Sequence, residues 1–162
     1  MVAPCWLSLY ICPCILAESS NQPLSLVKLD ERLSQDSVHV AFVADIEIRL
    51  MNVAAFFWVL IIPRGMKAEE LHELDEHTYT KIMTLVRHLS RGLKNMTSAY
   101  KVNVATLGNQ VRQLHIHIIL RHEQDPAWPK PVWGHHETTL PNQDETNRRM
   151  AYVNEALASI EP

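Results

Sequence analysis

Beyond Cys14 this 162-residue sequence contains no cysteine. Cys5, Cys12 and Cys14 all fall within the first fourteen positions. The remaining chain can therefore hold neither a disulfide nor a thiolate metal site, which fits a reducing compartment. A strong excess of one charge is also lacking. The formal net charge is -3, which leaves no electrostatic footprint for duplex nucleic acid or an anionic membrane. Small phosphorylated ligands stay open, because they need a few local donors and not a basic face. No lysine or arginine precedes Lys28. The early apolar run from Trp6 to Leu16 is interrupted by Pro13, is too short to cross a bilayer, and precedes no small-x-small cleavage site. Residues 1–25 accordingly read as a poorly ordered leader or a weak signal-like segment. Residues 26–162 read as a single domain, long enough for a real core, with the cytoplasm as its expected place.

What is present has α+β character. LDERLSQDS (29–37) predicts a helical turn leading into the first strand region. DIEIRLM (45–51) alternates Ile46, Ile48 and Leu50 against polar neighbours, as a half-buried strand does. FWVLIIP (57–63) is a continuous apolar run ended by proline, hence a more central strand. Asp75 is placed as an N-cap, with Leu74 and Tyr79 as a staple across it. Tyr79, Ile82, Met83, Val86, Leu89 and Leu93 then recur at helical steps, and Gly92 weakens the end of that helix. His72, His77 and His88 in this region read as solvated surface. KVNVATL (101–107) and QLHIHIIL (113–120) return to strand character around a GNQ turn. A rigid DPAWPKPVWG segment (125–134) follows, and Met150, Val153, Leu157 and Ile160 mark a last helix. The order strand, strand, helix, strand, strand, helix points to an antiparallel sheet with helices.

Chemistry concentrates in QLHIHII (113–119). Alternation along a strand places Gln113, His115 and His117 on one face, successive members roughly 6–7 Å apart. Leu114, Ile116, Ile118 and Leu120 occupy the other. Imidazole allows two uses here. A neutral His115 can attack phosphorus while a protonated His117 stabilises the non-bridging oxygens or protonates the leaving group. Alternatively the H-x-H pair ligates zinc, with His122, Glu123, His135 or His136 as third ligand. A structural pair satisfied by backbone and water is the plain reading. The preceding LGNQV turn brings a glycine and several amides, which can cradle a phosphate with help from Asn109 and Gln110. That combination favours phosphate chemistry over metal. Trp128 and Trp133 could flank a nucleobase or pack over a partner, although a strap over the core is their commoner role. Arg64 and Arg121 are candidates for neutralising phosphates, with solvated surface as the alternative.

NVATLGNQVRQLHIHII resembles the signature of the histidine-triad (HIT) superfamily: a strand and phosphate loop running into alternating histidines and apolar residues. The resemblance extends upstream through LMNVAAFFWVLIIPR and ELHELD and downstream through DPAWPKPVWG, covering roughly residues 26–140. It is closest to a bacterial branch with glutamine at the first triad position, and is similar to diadenosine polyphosphate hydrolases. The resemblance implies a sheet of about five antiparallel strands, one long helix and a C-terminal helix, usually paired as a homodimer. It implies a nucleotide substrate, no cofactor and no metal. His115 would be the nucleophile forming a nucleotidyl-histidine, and His117 the phosphate-contacting histidine. Gly108, Asn109, Gln110 and Val111 would form the phosphate loop, and Asn52 and Asn103 lie near positions that hold sugar and phosphates. Gln113, at the first triad position, can orient His115 but cannot titrate. Three functions follow: a nucleotide phosphohydrolase acting at the α-phosphate, a nucleotide-binding module whose incomplete triad turns over weakly, or a zinc-dependent hydrolase.

Overall fold

A computed structural model describes residues 26–135 and 139–160; expectations for the leader and for His136 lie outside the described residues. The elements, in chain order, are α1 (Glu31–Gln35), β1 (Ser37–Val43), β2 (Ile46–Met51), β3 (Phe57–Pro63), a 3-10 turn (Leu71–Glu73), α2 (Glu76–Thr97), β4 (Lys101–Thr106), β5 (Ile116–Arg121) and α3 (Gln143–Ala158). The strands form one antiparallel sheet in the order β1-β2-β3-β5-β4. This is the α+β architecture that the sequence led us to expect. It holds one strand more than periodicity alone revealed: SVHVAFV is β1, paired along β2.

Helix α2 begins where its cap dictates. The Asp75 carboxylate accepts from the backbone N–H of Thr78 at 2.9 Å and from its hydroxyl at 2.8 Å, satisfying donors that the first turn leaves free. Ile82, Leu85, Val86, Leu89 and Leu93 form its buried face, whereas Tyr79 stays 42% exposed. The apolar stripe therefore starts one turn later than its spacing suggested. Gly92 does not end the helix, which runs on to Thr97. A β-carbon at Gly92 would stand 3.2 Å from that of Ala156, so the glycine lets α3 approach closely. His72 and His77 are exposed as expected, but His88 is half-buried. Its Nε2 lies 2.8 Å from the Ala156 carbonyl, at the end of α3.

The sheet separates two apolar clusters. Ile46, Ile48, Leu50, Val59, Ile61, Ile116, Ile118 and Leu120 pack beneath α2 and α3. Trp58, Leu60, Ile62 and Ile119 face the opposite way, under Leu33, Phe56, Ala127 and Val132. Because Leu60 pairs with His117, the second histidine lies on this second face, covered by the chain after β5.

Candidate functional site

His115 and His117 are both nearly sealed, 6% and 5% exposed, and their rings meet edge to face with centroids 4.8 Å apart. Their hydrogen bonds set different tautomers. His115 lies 2.7 Å through Nδ1 from the main-chain carbonyl of Gln113. A carbonyl only accepts, so Nδ1 carries the hydrogen, and the neutral ring keeps its lone pair at Nε2. His117 is the reverse case. The indole Nε1–H of Trp58 donates to His117 Nδ1 at 2.8 Å, so the proton of the neutral ring sits on Nε2. That Nε2 is buried with no hydrogen-bond partner among the described residues, a deficit costing roughly 1–3 kcal/mol unless an acceptor arrives. One imidazole thus offers a lone pair, the other a hydrogen.

His117 does not supply the cation expected of it. Burial, followed by the charge His115 can carry, pushes its pKa from 6.5 down to about 3. A folded pKa below the unfolded one means that acid favours the unfolded chain. His117 therefore contributes stability that is full above pH 6.5 and is lost as pH falls towards about 3, at up to ~1.4 kcal/mol per pH unit. Glu47 acts in the same direction at lower pH. Burial works to raise its pKa, but hydrogen bonds to Arg49 and His39, with the charges of Arg49 and Arg64, outweigh burial and hold it below 4.5. Thermal melting should accordingly fall between pH 6.5 and 4.5, before Glu47 titrates, and this slope should flatten in His117→Gln. An equal slope in that variant would remove His117 as the source.

The predicted row of three side chains is not a row. β5 begins at Ile116, leaving residues 113–115 outside the ladder. The Gln113 carboxamide turns to the amino-terminal segment, accepting from Asp30 N–H at 2.8 Å and donating to the Lys28 carbonyl at 3.4 Å. Gln113 meets His115 through its main chain, not its side chain. A pocket of about 120 Å³ lies beside His115, lined also by Gly108, Asn109, Thr106 and Gln113. It has room for a phosphoryl group and not a whole nucleotide. A β-carbon at Gly108 would press on the Val111 carbonyl at 3.2 Å, which explains glycine at this bend. Gln110 accepts from Arg32 at 3.1 Å, while Val111 packs against the second apolar cluster.

Glu69 and Glu70 also line this pocket, and no motif had singled them out. Glu69 is paired with Arg112 at 2.5 Å, and the backbone N–H groups of Glu69 and Glu70 donate to the Glu73 carboxylate at 2.7 and 3.3 Å. A second hollow of about 450 Å³ shares Glu69 and Gln113 with the first and adds Lys28, Asp30 and Lys67.

The other predicted ligand contacts are engaged elsewhere. Asn52 bonds the Gln35 carbonyl at 3.3 Å. Asn103 accepts from Arg121 at 2.8 Å. Arg64 and Arg121 are neither solvated nor free for phosphate: Arg64 pairs with buried Glu47, and Arg121 with Asp125. Trp133 packs edge-on against Trp58 and His117, with centroids at 5.6 and 5.4 Å. Trp128 packs against Tyr100. A zinc site does not fit these donors. His117 has one ring nitrogen taken by Trp58 and a hydrogen on the other, so no lone pair remains for a metal. Among the described residues no group of three or more His, Cys, Asp or Glu side chains is placed to hold one.

An α+β domain with an oriented His-x-His pair where the chain enters β5, an inner strand of its sheet, is the class these features define. The HIT-domain sequence pattern matches residues 34–124. A histidine triad protein from Bradyrhizobium japonicum is 34% identical, with a TM-score of 0.78 over 81% of this chain and 98% of that one. One from Marinobacter aquaeolei VT8 is 32% identical, with a TM-score of 0.79 over 84% and 99%. A Plasmodium falciparum diadenosine triphosphate hydrolase, solved with cyclomarin A, shares the fold at 17% identity and a TM-score of 0.55, over 83% and 88%. A comparison with curated proteins finds no match. The chain belongs to the HIT family.

Proposed function

We propose that this protein is a nucleotide phosphohydrolase acting at an α-phosphate through a nucleotidyl-histidine at His115. The observation that carries this reading is the 2.7 Å bond from His115 Nδ1 to the Gln113 carbonyl. It leaves Nε2 as a lone-pair nucleophile beside a pocket of phosphoryl size. Family membership supports the class, and a HIT-fold neighbour named as a diadenosine triphosphate hydrolase supports the substrate type.

In the first step, His115 Nε2 forms a bond to the α-phosphorus as the bond to the leaving group breaks. Amides of the Gly108–Gln110 bend and the Nε2–H of His117 hold the non-bridging oxygens. His115 keeps its Nδ1 hydrogen, so the positive charge of the nucleotidylated ring is stabilised by the Gln113 carbonyl. Water then attacks phosphorus, the P–N bond breaks with its electron pair returning to Nε2, the water's proton passes to solvent, and nucleoside monophosphate leaves with the neutral ring restored. Neither Gln113 nor a neutral His117 gives up a proton. A leaving group that departs as a stable anion suits this site best, which favours a polyphosphate over an amine. The neighbouring hollow with Lys28 and Lys67 has room for the part of the ligand beyond the phosphate.

Trapping tests this reading. A dinucleoside polyphosphate labelled at the α-phosphate is mixed with enzyme, quenched in denaturing alkali, and the adduct mapped by mass spectrometry. Label on His115 is the expected result; hydrolysis with label elsewhere, or none, rejects the intermediate. A second reading is favoured by one observation: the Gln113 carboxamide is spent on Lys28 and Asp30 and brings no titrating group to His115. Tight AMP binding with neither adduct nor turnover would identify a nucleotide-binding module instead.

A further inference from the structure

The geometry points to Trp58 as the positioning residue of this site, fixing the tautomer of His117 so that its Nε2–H is held ready for an acceptor brought by the ligand. No motif marks Trp58, which comes from β3, the strand beside the histidines, and is itself buried. An indole N–H can only donate. Its 2.8 Å bond therefore obliges His117 Nδ1 to accept. The opposite tautomer would set two N–H groups against each other, so Nε2 carries the hydrogen in every neutral state of the pair. Among the described residues that hydrogen has no partner. The ring bearing it packs between His115 and Trp133, both edge-on, and is only 5% exposed. Buried donors are rarely left unpaired without a use. Here the orphan adjoins the imidazole of His115, whose Nε2 keeps its lone pair. A phosphate oxygen is the acceptor chemistry that a nucleophile on phosphorus would bring with it.

The catalytic part of this inference rests on the proposed phosphohydrolase reading, whereas the tautomer does not. Nitrogen-15 NMR separates the two. In the wild-type protein, His117 should show the Nε2–H tautomer alone, with a scalar coupling across the hydrogen bond between Trp58 Nε1 and His117 Nδ1. His115 should show the Nδ1–H form. Adding AMP should move the His117 Nε2–H proton downfield. Trp58→Phe keeps a ring in the cluster but removes the donor, and should give His117 a mixture of tautomers while leaving that of His115 unchanged. With a dinucleoside polyphosphate as substrate, kcat should fall about 10- to 100-fold with KM changed less than about threefold. Absence of the coupling, or an unchanged His117 tautomer in Trp58→Phe, overturns the assignment even if that variant folds poorly, because the coupling is read on the wild type. A shifted tautomer with unchanged kcat overturns the positioning role. If the wild type hydrolyses nothing, the phosphohydrolase reading fails, and the coupling and the AMP-induced shift still decide the inference.

Discussion

Replacing His115 by glycine will abolish hydrolysis while leaving nucleotide affinity within about threefold of wild type. The asymmetry follows from what the ring does. In the proposed mechanism its Nε2 lone pair is needed only when the bond to phosphorus forms, so its removal acts on the transition state and not on ground-state binding. Loss of a covalent nucleophile with no substitute nearby costs on the order of 10⁴-fold or more in kcat. Gln113 cannot replace it, since its carboxamide is bound to Asp30 and Lys28. His117 cannot either, since both of its nitrogens are unavailable as nucleophiles: Nδ1 accepts from Trp58 and Nε2 holds the hydrogen. Free imidazole should partly restore turnover by entering the space the glycine leaves. Single-turnover hydrolysis and equilibrium AMP binding, measured side by side, check both halves. Undiminished hydrolysis by His115→Gly would take His115 out of the mechanism.

The parts of this molecule legible in its sequence are those set by local periodicity. Helix α2 announces itself through a cap at Asp75 and a stripe of apolar residues, and both act within a few positions of the chain. The histidines announce themselves through the alternation of β5. What escaped was determined by distant partners. β1 escaped because it is an edge strand with an irregular burial pattern and a register shift near Val40. It also turns into β2 through Ala44 at φ 53°, where no glycine or asparagine signals the bend. Trp58 was hidden because FWVLIIP is apolar on both faces, and only pairing of Leu60 with His117 reveals which residues flank the histidines. Gln113 appeared to sit in the strand, but its partner Asp30 lies 83 positions away. Lone arginines read as surface for the same reason: nothing in the sequence shows that Arg64 meets Glu47 or that the chain folds Asp125 back onto Arg121.

That last pair should contribute strongly to stability. Arg121 is 1% exposed, and each of its three nitrogens is hydrogen-bonded. Its Nε donates to Asp125 Oδ2 at 2.7 Å, Nη2 to Asp125 Oδ1 at 3.0 Å and to the Lys130 carbonyl at 2.9 Å, and Nη1 to Asn103 at 2.8 Å. Trp128 lies against the guanidinium at 5.7 Å. One side chain thereby pins the 125–130 segment to the sheet on the face that holds His117. Arg121→Met fills similar volume but leaves the Asp125 carboxylate buried without its partner, and should cost ~3–5 kcal/mol. This is a large share of the ~5–15 kcal/mol that keeps a domain folded. Exposed pairs behave differently: Arg112→Met, at the solvated Arg112–Glu69 bridge, should change stability by less than about 1 kcal/mol. The pH dependence identifies the cause. In the wild type, burial works to raise the Asp125 pKa, but bonding to Arg121 outweighs it and holds the group below 3.8. Its contribution is therefore present above that value and is lost as pH falls through the lowered pKa. In Arg121→Met the carboxylate loses that cation and keeps only the N–H bonds of Ala127 and His122, so its folded pKa lies above the wild-type one and the loss deepens as pH rises. The stability gap between the two proteins should thus be widest at neutral pH and narrow towards pH 4. Denaturant unfolding at both pH values checks this, with Arg121→Met combined with Asp125→Leu expected to recover much of the loss. A gap independent of pH would mean that Arg121 acts through packing against Trp128 and not through its charge.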